Sequence, residues 1–199
     1  MIAVITGDII NSTEKASVNW LKELKSVLSQ YGNSPEKWEI YRGDSFQLKL
    51  PLEKAIIAAF HIKATIKQIK NKDVRMGIGV GKEDNISEKI SESNGAAYRN
   101  SGLCFESLKK SNIAIKSNEA NWDEPLNIML ELVLLLADKW TISQAELIKT
   151  SIENPDKNQN QLAELLEKTQ STISISLDRS GYDGLQRVLE YYKKQTQLL

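Results

Sequence analysis

Apolar and polar positions alternate along WEIYRGDSFQLKL in two short runs separated by a turn. Trp38 and Ile40 flank Glu39, and Phe46, Leu48 and Leu50 alternate with Ser45, Gln47 and Lys49. A period of two marks half-buried strands, so residues 37–50 read as a hairpin with Arg42-Gly43-Asp44 at its tip. Upstream, IAVITG at residues 2–7 reads as a short buried strand. Trp20, Leu21, Leu24, Val27 and Leu28 fall at helical spacing and predict a helix from about residue 15 to 30, ended by Gly32, Asn33 and Pro35. Pro51 breaks the hairpin and can open a helix to about residue 70, with Ile56, Ile57, Phe60, Ile62, Ile66 and Ile69 as its apolar positions. VRMGIGVG at residues 74–81 is a strand whose glycines allow a close approach to its backbone. A helix is expected within residues 88–110 and a last short strand at IAIK, residues 113–116.

The predicted order is β-α-β-β-α-β followed by α-β. That is the split βαβ, ferredoxin-like arrangement with an addition. Right-handed crossovers insert the third strand between the first two, antiparallel to both. The end of strand one, at Gly7-Asp8, then lies beside the start of strand three, just after Gly43-Asp44. Asp8 and Asp44 are expected together at one edge of the sheet. After the polar linker SNEANWDEP, residues 117–125, the pattern becomes wholly helical. The expected class is therefore α+β: a ferredoxin-like domain over residues 1–120 and an all-helical domain over residues 121–199.

The strongest apolar run, IMLELVLLLA at residues 128–137, has Glu131 inside it and falls short of the ~20 residues that cross a bilayer. It reads as a buried helix, and no membrane partner is expected. The N-terminal MIAVITGDII has no basic flank and reads as a strand rather than a targeting segment. Lys+Arg and Asp+Glu are equal at 26 each, which excludes a global field for nucleic acid or an anionic membrane. The lone cysteine, Cys104, cannot form an internal disulfide, and a reducing cytoplasm is the expected location. One Cys and one His rule out a Cys/His zinc site; His61, in an apolar helix, reads as a packed or surface residue.

Taken singly, Asp44 is an ordinary turn residue. Taken with Asp8 it forms a pair of like charges, stable in ionised form only with a cation beside it. Oxygen-only ligation suits Mg²⁺ or Mn²⁺, which commonly combine one or two carboxylates with substrate phosphates. Ile9-Ile10-Asn11-Ser12-Thr13 reads as a loop entering a helix, where backbone N–H groups favour phosphate.

These segments carry resemblances. VITGDIINST and YRGDSFQLKL are similar to the two metal-binding segments of class III nucleotide cyclases, and the second also to the G-G-D-E-F loop of diguanylate cyclases. VRMGIGVG is similar to the strand that follows in the cyclases. The resemblance implies a cyclase-like palm with Asp8 and Asp44 as metal ligands. It also implies nucleotide contacts from Gly7, Ile9, Asn11, Ser12, Arg42 and Gly43. The cyclase Asn and Arg that hold substrate correspond to Asn94 and Arg99, which stand here at a different spacing. The first glycine of G-G-D-E-F is Arg42 and its Glu is Ser45. Over its whole length the chain resembles the SatD family of bacterial proteins, through TGDIINS, WEIYRGDSFQL, ISESNGAA and the C-terminal helices.

In the C-terminal part, QLAELLEKTQSTIS resembles the helix-turn-helix pattern of many bacterial repressors. Leu162, Leu165 and Leu166 give one short helix an apolar face. Glu167-Lys168-Thr169 forms the turn, with Glu167 where glycine is usual, and Thr169 can cap the second helix. Ile173 and Leu177 point inward and Gly181 stops that helix. A second helix of this kind presents Gln170, Ser171, Thr172 and Ser174 to base edges and Arg179 to phosphate. From Asp138 onward there are eight basic and nine acidic residues, which lack the basic footprint common in DNA binders and also suit a protein-contact module. The helix expected over residues 182–195 carries Leu185, Val188, Leu189 and Tyr192 on one stripe, for packing or for a homodimer, which is expected through this helix or through residues 128–137, an apolar run long for one small domain to bury fully. The expected function is a DNA-binding transcriptional regulator with a nucleotide-binding domain. The alternative is a metal-dependent nucleotidyl transferase or cyclase-like enzyme whose helical tail joins protomers.

Overall fold

A computed structural model describes residues 1–12, 18–109 and 111–199. The first residues of the helix expected from residue 15, Thr13 of the adjoining loop, and Lys110 lie outside the described residues. The chain is α+β. In order come β1 (Ile2–Ile10), α1 (Val18–Ser29), β2 (Trp38–Tyr41), β3 (Ser45–Pro51), α2 (Ala55–Lys67) and β4 (Asp73–Gly81). They are followed by β5 (Glu83–Asn85), β6 (Asn94–Gly95), α3 (Ala96–Ser107) and β7 (Ile113–Lys116). The remainder is helical: α4 (Ala120–Ala137), α5 (Ile142–Glu153), α6 (Gln159–Leu165), α7 (Gln170–Ser180) and α8 (Tyr182–Gln195).

The main sheet has the strand order β2-β3-β1-β4-β7. β3 lies between β1 and β2 and runs antiparallel to both, as the element order predicts. β4 is antiparallel to β1, and β7 joins β4 in parallel. β1 runs three residues past Gly7, because its ladder with β4 continues to Ile10 opposite Asp73. Asp8 therefore sits within a strand, and Ile9 and Ile10 belong to the ladder rather than to the expected phosphate-facing loop. The helix expected from Pro51 begins at Ala55 after a short 3₁₀ turn, with Pro51 still in β3.

The two faces of the sheet are covered by different helices. Val74, Met76, Ile78 and Val80 pack into the main core with Phe60, Ile62 and Ile66 of α2. The alternate positions of β4, which face the other way, are Gly77, Gly79 and Gly81. A Cβ at Gly79 would lie 2.0 Å from the Ser101 amide nitrogen and 2.1 Å from the Ala97 carbonyl oxygen. What approaches the glycine strand is α3, its backbone seated directly on β4.

The main core continues through the helical part. Trp122, Leu126, Leu130 and Leu134 of α4, Ala145 and Ile148 of α5, and Leu185 and Tyr192 of α8 belong to the same buried cluster as the sheet. Asn127 satisfies the edge of β7, accepting from the Ile115 N–H at 2.8 Å and donating to its carbonyl at 2.9 Å. The stripe of α8 is spent on this packing: the Tyr192 hydroxyl donates to the Leu52 carbonyl at 2.6 Å. The run at residues 128–137 is only half buried. Leu130, Leu134 and Ala137 face the core, whereas Ile128, Leu132, Leu135 and Leu136 face solvent.

Polar links tie the sheet to the helices. Lys63, fully buried in α2, bonds Asp73 at 2.8 Å and Asp138 at 2.7 Å. Lys67 adds bonds to the Asp73 carboxylate at 3.1 Å and the Asp138 carbonyl at 2.7 Å. Two carboxylates around one buried ammonium meet the requirement that an interior charge be compensated. No helix among the described residues is long and apolar enough to cross a membrane.

Candidate functional site

One end of the sheet gathers most of the expected N-terminal site. Asp8 lies opposite Ser45 of β3 on one side and Arg75 of β4 on the other. The Ile9 N–H donates to the Asp44 carbonyl at 3.2 Å, which brings the two aspartate segments side by side. Arg42, with φ 53°, and Gly43, with φ 91°, hold the hairpin tip in left-handed backbone. A β-carbon disfavours that region, so the backbone at Arg42 is strained where Gly43 is not. The Ser12 hydroxyl donates to the Asp44 carboxylate.

The cation beside Asp8 is a residue of the chain itself. Arg75 Nε donates to Asp8 Oδ1 at 3.1 Å and a terminal guanidinium nitrogen donates to Oδ2 at 2.6 Å. This fork is the strongest geometry available to an exposed ion pair. The bonds to Asp8 hold Arg75 more firmly protonated than usual, against a smaller opposing effect of burial. Its guanidinium also lies 5.4 Å from the centre of the Phe105 ring on α3. Period-two alternation puts residue 75 on the α3 side of β4 with the glycines, a signal the sequence held.

The other expected nucleotide residues have other places. Gly7 is packed: a Cβ there would lie 2.7 Å from the Phe46 ring and 2.8 Å from the Arg75 carbonyl. The Ile9 side chain is in the core. Asn11, with φ 60°, donates through its amide to the Asn71 carbonyl at 3.0 Å, and buried Lys72 donates to the Asn11 carbonyl. Asn94 lies in β6, and Arg99 sits 3.8 Å from Asp84. Both are near Gly81, at the far end of β4 from Arg75, a strand distance of about 20 Å at ~3.3 Å per residue. The fold does not bring Asn94 and Arg99 to Asp8 and Asp44.

At that far end buried Lys49 bonds Glu83 at 2.9 Å, and the Tyr98 hydroxyl donates to the same carboxylate at 2.6 Å. Burial pushes the Glu83 carboxyl up, but the bonds from Lys49 and Tyr98 outweigh it and hold it below the ordinary range. A further chain runs from half-buried Tyr31 through buried His61, at 2.9 Å, to Glu153, at 3.2 Å, joining α2 and the turn after α1 to α5. Burial pushes Tyr31 well above its ordinary value, which leaves it a neutral donor rather than a nucleophile. His61 is thus a packed residue, as expected. Burial also pushes the Cys104 thiol up to about 11, consistent with an inert buried cysteine.

The helical part holds the second candidate site. α6 and α7 close on α5 over Leu147, Leu162, Ala163 and Ile173, a small cluster separate from the main core. Asn158 and Gln161 form a capping box at the start of α6, and the Thr169 hydroxyl accepts from the Thr172 N–H at 3.2 Å at the start of α7. Glu167 in the turn has φ 52°, and Gly181, with φ 72°, ends α7. Glu167 therefore takes the left-handed conformation that glycine would adopt at that place. Gln170, Ser171 and Thr172 are exposed, Ser174 is half-buried and Arg179 is exposed. The Gln170 amide donates to Gln159 at 2.7 Å, so the first turns of α6 and α7 stand together.

With both sites described, comparison with known proteins adds one finding. The model of the SatD family matches residues 1–194. The chain belongs to the SatD family. A search of curated proteins found no match. The match spans both the sheet and the helical part.

Proposed function

We propose that this SatD-family protein is a cytoplasmic, DNA-binding regulator of transcription. Its sheet is read as a ferredoxin-like, cyclase-like palm for a nucleotide, and α6–α7 as a helix-turn-helix. The observation that carries the DNA reading is the α6–α7 unit. Two short helices are joined by a turn with a left-handed Glu167, and the second begins with exposed Gln170, Ser171 and Thr172. Gln bonds adenine with two hydrogen bonds, and Ser and Thr serve bases or phosphates. Arg179, also exposed, would meet the backbone. A near-neutral surround makes phosphate contacts few, so specificity would rest on base contacts rather than on general affinity.

The strand order, with β3 and β4 flanking β1, supports the palm reading. Asp44 and Ser12 supply a carboxylate and a hydroxyl, a donor set that fits Mg²⁺ or Mn²⁺ completed by phosphates and water. Asp8 joins that set only by releasing Arg75. A divalent ion there would supply positive charge to nucleotide phosphates. The distance of Asn94 and Arg99 from the aspartates favours nucleotide binding over cyclase-type turnover. Selection of genomic fragments by the full chain, with and without nucleotide and Mn²⁺, tests the reading. Enrichment of one sequence motif supports it, and no enrichment under any condition refutes it.

A further inference from the structure

We infer that the outer face of α4 is a two-fold contact between two copies of this chain, antiparallel about Leu135. The inference stands independently of whether the chain binds DNA or nucleotide.

Two adjacent i, i+4 rows on α4 face solvent. The first is wholly apolar: Ile128 is 54% exposed, Leu132 61% and Leu136 46%. The second is Glu131 and Leu135, with Leu135 62% exposed, and Lys139 follows them in the turn just past the helix end at Ala137. Large aliphatic side chains in unbroken rows form the ridges by which helices pack on one another. An isolated exposed leucine needs no explanation, but a contiguous row does.

The flanking charges choose the occupant. Glu131 and Lys139 lie equally far before and after Leu135, carry opposite signs, and have no ion-pair partner among the described residues. A second copy running antiparallel over Leu135 places each Glu131 against the other copy's Lys139. That is the self-complementarity a two-fold interface requires, where residue i meets j and j meets i. The ridge residues Leu132 and Leu136 form one wall of a groove of about 470 Å³ between α4 and α8, whose lining includes Met129, Val133 and Val188, with Gly184 and the acidic Asp178 and Asp183. A ridge and a groove with apolar walls on one face let each copy fill the other. Gly184 leaves this groove open, since a Cβ there would meet nothing within 4 Å.

Sedimentation equilibrium of the full chain tests the inference. The wild type is expected to populate a dimer. Leu132→Glu should shift it to monomer. Gly184→Glu should do the same without disturbing the fold, because its carboxylate enters open space near the start of α8, where negative charge is favourable. Glu131→Lys and Lys139→Glu should each weaken self-association, and an equimolar mixture of the two should form a heterodimer tighter than either alone. A wild type that stays monomeric at every concentration overturns the inference, as does an assembly untouched by Gly184→Glu. A mixture of the charge variants that associates no better than its parts overturns the antiparallel arrangement.

Discussion

Arg75 grips both carboxylate oxygens of Asp8 from the neighbouring strand, at 3.1 and 2.6 Å. The pairing answers the electrostatic problem of an aspartate on β1 beside another in the β2–β3 turn, and it sets the site's response to metal. Arg75→Ala should cost only about 1 kcal/mol, because a pair that solvent still reaches contributes little even when bidentate. The same change should tighten Mn²⁺ binding, since it frees Asp8. Urea denaturation checks the first and electron paramagnetic resonance of added Mn²⁺ the second. Unchanged Mn²⁺ binding would show that Asp8 is not a ligand.

Gly79 and Gly102 should respond oppositely to alanine. At Gly79 the new methyl meets the α3 backbone, and overpacking against backbone costs ~1–3 kcal/mol or more. At Gly102, within α3, nothing lies within 4 Å, and replacing a helical glycine gains about 0.5–1 kcal/mol. Denaturant midpoints for the two variants should move in opposite directions.

Glu167→Gly should stabilise the chain by up to about 1 kcal/mol, the cost of a β-carbon in left-handed backbone less the entropy glycine loses on folding. Glu167→Val should destabilise it. Thermal unfolding of both variants measures this, and a loss of stability in the glycine variant would contradict the backbone conformation given to the turn.

The Tyr31–His61–Glu153 chain makes stability depend on pH. Burial pushes His61 below its ordinary 6.5, with Glu153 drawing it partly back. A histidine held neutral contributes stability that is complete above 6.5 and is lost as pH falls below it, because the unfolded chain then binds the extra proton. Burial raises Glu153, but the bond from Gln30 and the charges of Lys149 and His61 outweigh this and hold it below 4.5. Its contribution has the same sign and is lost in a more acid window. Melting temperature should therefore fall from pH 7 to pH 5, and fall less steeply in His61→Asn.

Much of this architecture was legible in the chain. Alternation in WEIY and SFQLKL located β2 and β3, and the order of elements alone placed β3 between β1 and β2. The cap at Thr169 and the stop at Gly181 were written in residue types with local preferences, whereas the turn at Glu167 was read from a resemblance, against the backbone preference of Glu. Contacts between distant segments were not legible. No local pattern says that Lys63 of an apolar helix meets Asp73 and Asp138, or that Arg75 reaches Asp8, because those pairings depend on which strands become neighbours. Which face of α4 stays outside was hidden for a related reason. IMLELVLLLA is apolar all round, so periodicity could not tell the face that meets the core from the face left outside.

The central claim is that the first turn of α7 reads DNA, and the affinity of the full chain for a selected duplex tests it most directly. Titration of wild type, Gln170→Ala and Arg179→Ala against that duplex and single-base variants separates base reading from phosphate contact. Gln170→Ala should lose about 1–3 kcal/mol and relax discrimination at one base pair, whereas Arg179→Ala should weaken all duplexes alike. A wild type that binds the selected and scrambled duplexes equally, or a Gln170→Ala variant with unchanged discrimination, would contradict the account.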